Sequence, residues 1–176
     1  MITTTGRTTL LVSTLLLLPC LLQAQKLVDH RDQATGWYVP VKVVVTTGGV
    51  AADKVDVQVY KENKLIHEIP SSKNKFTVNM DLENTYTLVV AKEGYRTKSV
   101  LVHTHVPDDQ VEYPEYACAL DLEPADRFTH SDPFYLDFPG AIVRWDERSQ
   151  AFVPQLNYLA DIQSKVAMLR AQMDIH

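Results

Sequence analysis

The feature that most constrains this chain is a series of short segments between residues 38 and 122, each rich in β-branched residues and bounded by turn residues. In Val55–Val59 apolar and polar residues alternate, so the three valines face one side of an extended strand. Phe76, Val78 and Met80 repeat this spacing in a later segment. Such alternation is typical of successive strands that are each buried on one face.

The sequence predicts seven strands in this region. Because each has one apolar face, two sheets must close on each other to keep those faces away from water. The expected fold class is therefore all-β, with a seven-stranded Ig-like sandwich over residues 38–123. The predicted strands are Tyr38–Thr46, Val55–Tyr60, Lys64–Ile69, Lys75–Asp81, Thr85–Lys92, Thr97–His105 and Tyr116–Leu122, with turns that include Gly48-Gly49 and Ser71-Ser72.

The composition changes after this region. Five prolines fall between residues 107 and 139, with several aromatic residues among them, so a helix is excluded there and a wrapped, irregular segment is expected. The predicted Pro- and aromatic-rich extension covers residues 124–154. It includes a small hairpin formed by Ala141–Trp145 and Ala151–Val153.

A C-terminal amphipathic α-helix is predicted over residues 155–174, a segment without Gly or Pro. Its apolar residues follow a heptad-like spacing and form one stripe. The pattern is too short to indicate a coiled coil, so two roles stay open, packing against the chain's own sandwich or docking onto another chain. The candidate partner-docking residues are Leu159, Ile162, Val166, Leu169 and Met173.

Residues 1–24 are predicted to be a signal peptide, followed by a lead-in over residues 25–37. A single Arg7 precedes an apolar run from Leu10 to Leu22, and Ala24 stands at the cleavage position. An uncleaved anchor and lipidation at Cys20 are the alternatives. The expected location is the periplasm or the outer membrane, or outside the cell, with no membrane span after cleavage.

Charge narrows the classes of partner. The chain has a formal charge of −5, and residues 1–24 contain one basic and no acidic residue, so cleavage makes the protein more acidic. A nucleic-acid-binding protein normally needs a basic face, so nucleic acid is excluded as a partner. Only Cys118 remains after cleavage, which rules out an internal disulfide and favours a buried structural thiol.

Few residues suggest chemistry. No phosphate-binding Gly loop, nucleophile elbow, paired-His helix or CxxC motif occurs, so we expect no enzyme activity and no cofactor. His103 and His105 are the best metal candidates, because alternate residues of a strand share a face. A third ligand would come from Asp108, Asp109 or His130.

Two further groups of residues are candidates for ligand binding. The acidic residues Asp121, Glu123 and Asp126 lack a regular calcium loop, so a solvated acidic rim is the preferred interpretation. Aromatic side chains could line a surface for a sugar or a peptide, although they more often fill a core. They are Trp37, Tyr38, Tyr113 and Tyr116.

Three runs of sequence support a resemblance. Val57–Tyr60, Phe76–Leu82 and Tyr86–Tyr95 resemble the carboxypeptidase regulatory-like, or transthyretin-like, β-sandwich, as in small exported envelope proteins of Bacteroidetes. The likeness covers residues 39–104, and its most specific piece is Lys92–Tyr95 followed by Lys98. The resemblance implies a binding or assembly module with no catalytic residues.

The predicted function is therefore that of a non-enzymatic, exported envelope protein that binds or assembles with another protein. Its partner would be an envelope protein or a second copy of the chain, held through the C-terminal helix. The alternative is a sandwich protein that binds a small ligand, either a glycan or a metal.

Overall fold

The structure, a computed structural model, describes residues 37–110, 112–128 and 136–173. The predicted signal peptide, residues 25–36 of the lead-in and His130 lie outside the described residues. Ten strands and one α-helix are present in the described part of the chain. They are β1 (Tyr38–Thr47), β2 (Val50–Ala51), β3 (Val55–Lys61), β4 (Lys64–Ser72), β5 (Lys75–Asp81), β6 (Thr85–Ala91), β7 (Lys98–His103), β8 (Tyr116–Leu122), β9 (Ala141–Asp146), β10 (Ala151–Pro154) and α1 (Leu156–Met173).

The first sheet is built around β1. Strand β5 pairs with it antiparallel, and the short β2 pairs with its last two residues after the Gly48-Gly49 turn. Strand β8 pairs with β1 in the parallel direction, from Val41 opposite Tyr116 to Thr47 opposite Leu122. Among the described residues β8 is paired with no second strand, so it forms one edge of this sheet.

The second sheet has six strands in the order β10-β9-β7-β6-β3-β4. Its strands pair antiparallel except for β7 and β9, where Val100–Val102 lies parallel to Ala141–Val143. Strand β4 is one edge of the sheet. It is bulged and contains Pro70, two features that discourage pairing with another strand.

The core lies between the two sheets, as the alternation predicted. Valines at every second position of β1 and β3 are almost completely buried. Tyr86 is the largest fully buried side chain, and its hydroxyl accepts a hydrogen bond of 3.0 Å from the backbone N–H of Asp81. The all-β class and the C-terminal helix are therefore confirmed.

The count of seven strands is wrong. All seven predicted strands are present, but β2 is an additional short strand, and the predicted hairpin of the extension joins the second sheet as β9 and β10. The parallel pairing of β7 with β9 could not be seen in local sequence patterns, because some forty residues separate the two strands.

The turn predicted at Ser71-Ser72 is also wrong, since β4 continues through both residues. Ser71 adopts a positive φ of 50°, and its N–H donates a hydrogen bond of 2.9 Å to the carboxylate of Asp56 on the neighbouring strand. Strand β4 therefore continues, with a local irregularity at Ser71, where the sequence predicted a turn.

In the Pro-rich extension a 3-10 turn, Ala125–Phe128, follows directly after Pro124, whose fixed φ suits the start of a helical turn. The prolines therefore exclude an α-helix from the described part of this segment but allow one short turn. The remaining aromatic residues Phe134 and Tyr135 lie outside the described residues.

Helix α1 packs with its apolar stripe against its own chain. Ile162 and Leu169 are buried, while Leu159 and Val166 are half-buried. The hydroxyl of Tyr158 donates a hydrogen bond of 2.7 Å to the carbonyl of Pro139, which fixes the start of the helix. Within the residues described, no helix has the length and apolar character that crossing a bilayer requires.

Candidate functional site

A large groove lies between the edge of β8 and helix α1, and we call it the β8–α1 groove. Its volume is about 630 Å³, within the range of small-molecule sites. Strands β7 and β9 and the segment before β9 close its base. The lining residues used below are Arg96, Lys98, Tyr116–Asp121, Glu123, Leu159, Ile162, Val166 and Arg170.

The strand wall of the groove is an edge rather than a face of the sheet. Six consecutive residues, Tyr116–Asp121, line it, although successive side chains of a strand point to opposite faces. Tyr116, Cys118 and Leu120 are buried in the core, whereas the small Ala117 and Ala119 are exposed. The side of β8 that faces away from β1 is therefore directed toward the groove.

The opposite wall comes from α1. Leu159, Ile162 and Val166 line it at spacings of three and four residues, so one helix face runs along the groove and is mostly apolar. These residues belong to the stripe that the sequence predicted. The structure thus brings three candidate partner-docking residues together at this groove, with Leu169 buried one turn farther along. The side chain of Met173 lies outside the described residues.

One end of the groove contains a carboxylate surrounded by three cations. The side chain of Glu123 is only 9% exposed, and its oxygens lie 3.8 Å from Arg96 Nη1 and 4.0 Å from Lys98 Nζ. The guanidinium of Arg170 from α1 makes a direct ion pair with the same carboxylate. The predicted solvated acidic rim is therefore wrong for Glu123, whose charge is stabilised by ion pairs in the interior.

Arg96 is held in place but is not fully hydrogen-bonded. Its Nη2 donates a hydrogen bond of 2.7 Å to the carbonyl of Leu136, and the guanidinium lies 5.4 Å from the ring centre of Phe128. Burial, and then the charge of Arg170, lower the pKa of Arg96. Its Nε and the Oε2 of Glu123 are buried without a hydrogen-bond partner in the described residues, which is unusual for buried polar atoms.

Lys98 lies in a similar environment. Burial is the main cause that lowers the pKa of its ammonium group, and the nearby charge of Arg96 adds to the effect. The negative charge of Asp121 raises the pKa of Lys98 and so partly offsets these two effects. The carboxylate of Asp121 is engaged elsewhere, because it accepts hydrogen bonds from Thr46 Oγ1 at 2.7 Å and from the N–H of Gly49 at 3.1 Å.

The cluster brings several opposite charges together. Arg96, Lys98 and Arg170 are opposed by Glu123 and by Asp121, whose pKa is lowered by its hydrogen bonds to Thr46 and Gly49. Asp137 lies close enough to act on the charge of Arg96 as well, so three cations are opposed by three carboxylates at this end of the groove. The rest of the wall is apolar, so the groove combines an apolar body with a charged end, which we call the cationic end after its three cations.

The thiol of Cys118, which lines the groove, is buried. Burial raises the pKa of Cys118 to about 11, so the sulfur stays protonated at neutral pH. Thiolate is the nucleophilic form of cysteine. The expectation that this cysteine is buried is confirmed.

The predicted histidine pair lies elsewhere, at the outer surface of the second sheet. His103 and His105 line a separate cavity of about 520 Å³ with Arg144 and Trp145. Strand β7 ends at His103, and it is an internal strand because β9 pairs with it. Burial is the main cause that lowers the pKa of His103, and the charge of Arg144 adds to the effect. Both oppose a positive charge on the imidazole ring.

Each of these histidines already has a partner. His103 Nδ1 lies 3.3 Å from Thr85 Oγ1, and His105 Nδ1 contacts the carboxylate of Glu83. In the part of the chain that the structure describes, no group of three or more metal-ligating side chains is placed to hold an ion. Metal binding at His103 and His105 stays a prediction without a third ligand.

The four aromatic candidates are not brought together at one surface. Trp37 and Tyr38 are exposed at the start of β1, whereas Tyr116 is buried and Tyr113 packs against the core. Sequence reasoning missed the cationic end of the groove. The available signal was the presence of Arg96 and Lys98 two residues apart at the start of a strand, where alternate residues share a face.

Comparison with known proteins adds little to this geometry. The chain matches no protein-family model and no curated protein. Among solved structures it is similar to a crystal structure of S.CueP, with 16% sequence identity and a TM-score of 0.35. The match covers 51% of this chain and 64% of that chain, so the chain spans less than two thirds of that protein. A likeness at this level carries no argument about fold or function.

Proposed function

We propose that this chain is a non-enzymatic, exported binding protein whose ligand occupies the β8–α1 groove. The observation that carries the proposal is the groove itself, in which an apolar wall leads to a cluster of three cations and the carboxylates that oppose them. Ligand sites typically combine an apolar lining with a few convergent polar groups in this way. The protonated thiol of Cys118 supports binding rather than covalent catalysis.

The proposal is tested by filling the groove. Val166 lines it, whereas Met168 lies on the exposed side of the same helix. We expect a small-molecule library to contain compounds that raise the melting temperature of the wild-type protein, since a ligand of the native state stabilises it by mass action. Val166→Trp should abolish that shift, and the matched control Met168→Trp should keep it.

Two results would contradict the proposal. One is a library in which no compound stabilises the folded wild-type protein. The other is an unchanged thermal shift in Val166→Trp after circular dichroism has established that this variant is folded. Native mass spectrometry of the purified protein adds a direct readout, because a retained ligand appears as a discrete mass increase.

Protein binding through the outer face of α1 is the second candidate. The exposed side chains of Leu156 and Met168 favour it, since both are large, apolar and accessible. The inner side of the stripe faces the chain's own sandwich and the β8–α1 groove, so a folded protein partner would use the outer face. Crosslinking in the cell envelope should capture a specific partner, and Leu156→Asp combined with Met168→Asp should remove it. Capture that is unchanged in the double variant would exclude this face.

A further inference from the structure

We propose that the ligand of the β8–α1 groove is an extended peptide segment that adds as a strand to the free edge of β8 and places its C-terminal carboxylate among Arg96, Lys98 and Arg170. This inference rests on the proposed function and specifies the class of ligand. The free strand edge, the apolar helix wall and the cationic end are three separate features of one groove, and a peptide with a free C-terminus matches all three.

The first step is the unpaired edge. In the described residues β8 pairs with β1 alone, so the backbone N–H and C=O groups on its other side are not paired with a strand, although β10 approaches β8. Exposed edges of sheets are sites where extended peptides add by main-chain hydrogen bonding. The edges formed by β4 and β10 are less suitable, because β4 is bulged and β10 is short and ends at Pro154.

The second step is space beside that edge. The groove follows six consecutive residues of β8, which corresponds to about 20 Å of extended chain at roughly 3.3 Å per residue. Ala117 and Ala119 are small and exposed, so they leave room for the side chains of an added strand. The apolar residues Leu159, Ile162 and Val166 face the groove from α1 and can contact alternate side chains of a peptide.

The third step is charge and direction. Three cations, Arg96, Lys98 and Arg170, converge where β8 ends and can receive a carboxylate at this end of the groove. Arg96 Nε is a buried donor without a hydrogen-bond partner in the described residues, and a carboxylate oxygen supplies the missing acceptor. A peptide with its C-terminus at this end runs parallel to β8.

The experiment uses two pools of random N-acetylated pentapeptides, one with free C-terminal carboxylates and one with C-terminal amides. Each pool is mixed with the folded protein, and bound peptides are identified by mass spectrometry after gel filtration. We expect the carboxylate pool to be enriched about tenfold or more over the amide pool, the factor that one charge-assisted contact provides. N-methylation of alternate residues in the best peptide should reduce affinity by a similar factor.

Variants assign the effect to the cationic end. Lys98→Met and Arg170→Gln should each remove the preference for carboxylates. Lys165→Gln is the matched control, because Lys165 lies on the same helix outside the groove and pairs with Asp161. Circular dichroism checks that every variant is folded.

Each contrary result has one meaning. Equal enrichment of the two pools would overturn the carboxylate assignment, and an unaffected N-methylated peptide would overturn strand addition. If no peptide is enriched while a small molecule still stabilises the protein and Val166→Trp blocks it, the peptide inference falls and the proposed function stands. If neither peptides nor small molecules bind, both fall.

Discussion

Replacing Glu123 with Gln tests whether the buried carboxylate holds the cationic end together. Gln keeps the size of the side chain and removes its charge. The side chains of Glu123, Arg96 and Lys98 are 9%, 14% and 23% exposed, so the two cations would lose a nearby counter-charge while they are largely shielded from water. Removing one partner of a buried ion pair typically destabilises a protein by about 3–5 kcal/mol.

Two features place the expected value at the lower end of that range. The side chain of Arg170 is 45% exposed and can turn toward water, and Asp121 continues to favour the charged form of Lys98. We therefore expect Glu123→Gln to lower the free energy of unfolding by about 3 kcal/mol. Urea unfolding at neutral pH measures this as a lower midpoint with an unchanged slope.

The matched control is Glu115→Gln. Glu115 pairs with Lys42 near the start of β8, but its side chain is 48% exposed. Exposed pairs contribute about 0–1 kcal/mol, so this variant should change stability little. If the two variants differ by less than about 1 kcal/mol, the reasoning about the buried carboxylate is refuted.

Three further predictions concern other parts of the fold. Cys118 should react with a thiol reagent only when urea unfolds the protein, because its thiol is buried with a pKa of about 11, and rapid reaction in native buffer would contradict this. Thr104 Oγ1 donates a hydrogen bond of 2.6 Å to the Asp81 carbonyl and accepts one of 3.1 Å from the Asn84 N–H. Thr104→Val should therefore lower the free energy of unfolding, measured with urea, by about 1–3 kcal/mol. Thr104→Ser keeps the hydroxyl and should lower it less. The pKa of His103 is lowered in the folded state, so the unfolded chain takes up the proton more readily and stability falls as the pH decreases below about 6.5. In His103→Gln the free energy of unfolding should fall less as the pH decreases. If the wild-type protein and the variant show the same pH dependence, His103 is not the group responsible.

Sequence patterns were sufficient where the physical cause is local. The alternation in Val55–Val59 predicts which valines are buried, because side chains of a strand alternate between the faces of a sheet. The spacing of Ile162 and Leu169 predicts the buried face of α1 for the same kind of reason. Neither pattern states what covers the apolar face, so packing on the sandwich and docking onto a partner could not be distinguished.

Sequence patterns failed where distant segments meet. Arg96 precedes β7, Glu123 follows β8 and Arg170 belongs to α1, so only the folded chain brings them within reach of one another. From the sequence alone, Glu123 is most simply interpreted as part of a solvated acidic rim with Asp121 and Asp126. Its burial depends on the covering helix and on cations from two other elements, and no local pattern carries that information.

The number of cations at Glu123 argues for a role beyond attaching the helix. The ion pair with Arg170 alone would connect α1 to the sandwich. Arg96 and Lys98 lie in surroundings that oppose their charge, because burial and neighbouring cations lower the pKa of each. Such groups weaken a fold unless they are paired, and apolar residues in their place are often neutral or stabilising. Groups that break this rule tend to occur at functional sites, and here they stand where a free strand edge and an apolar helix face meet. A carboxylate at that point would give the buried Nε of Arg96 the acceptor that it lacks among the described residues. The groove, rather than the outer face of α1, is therefore the stronger candidate for the site of function.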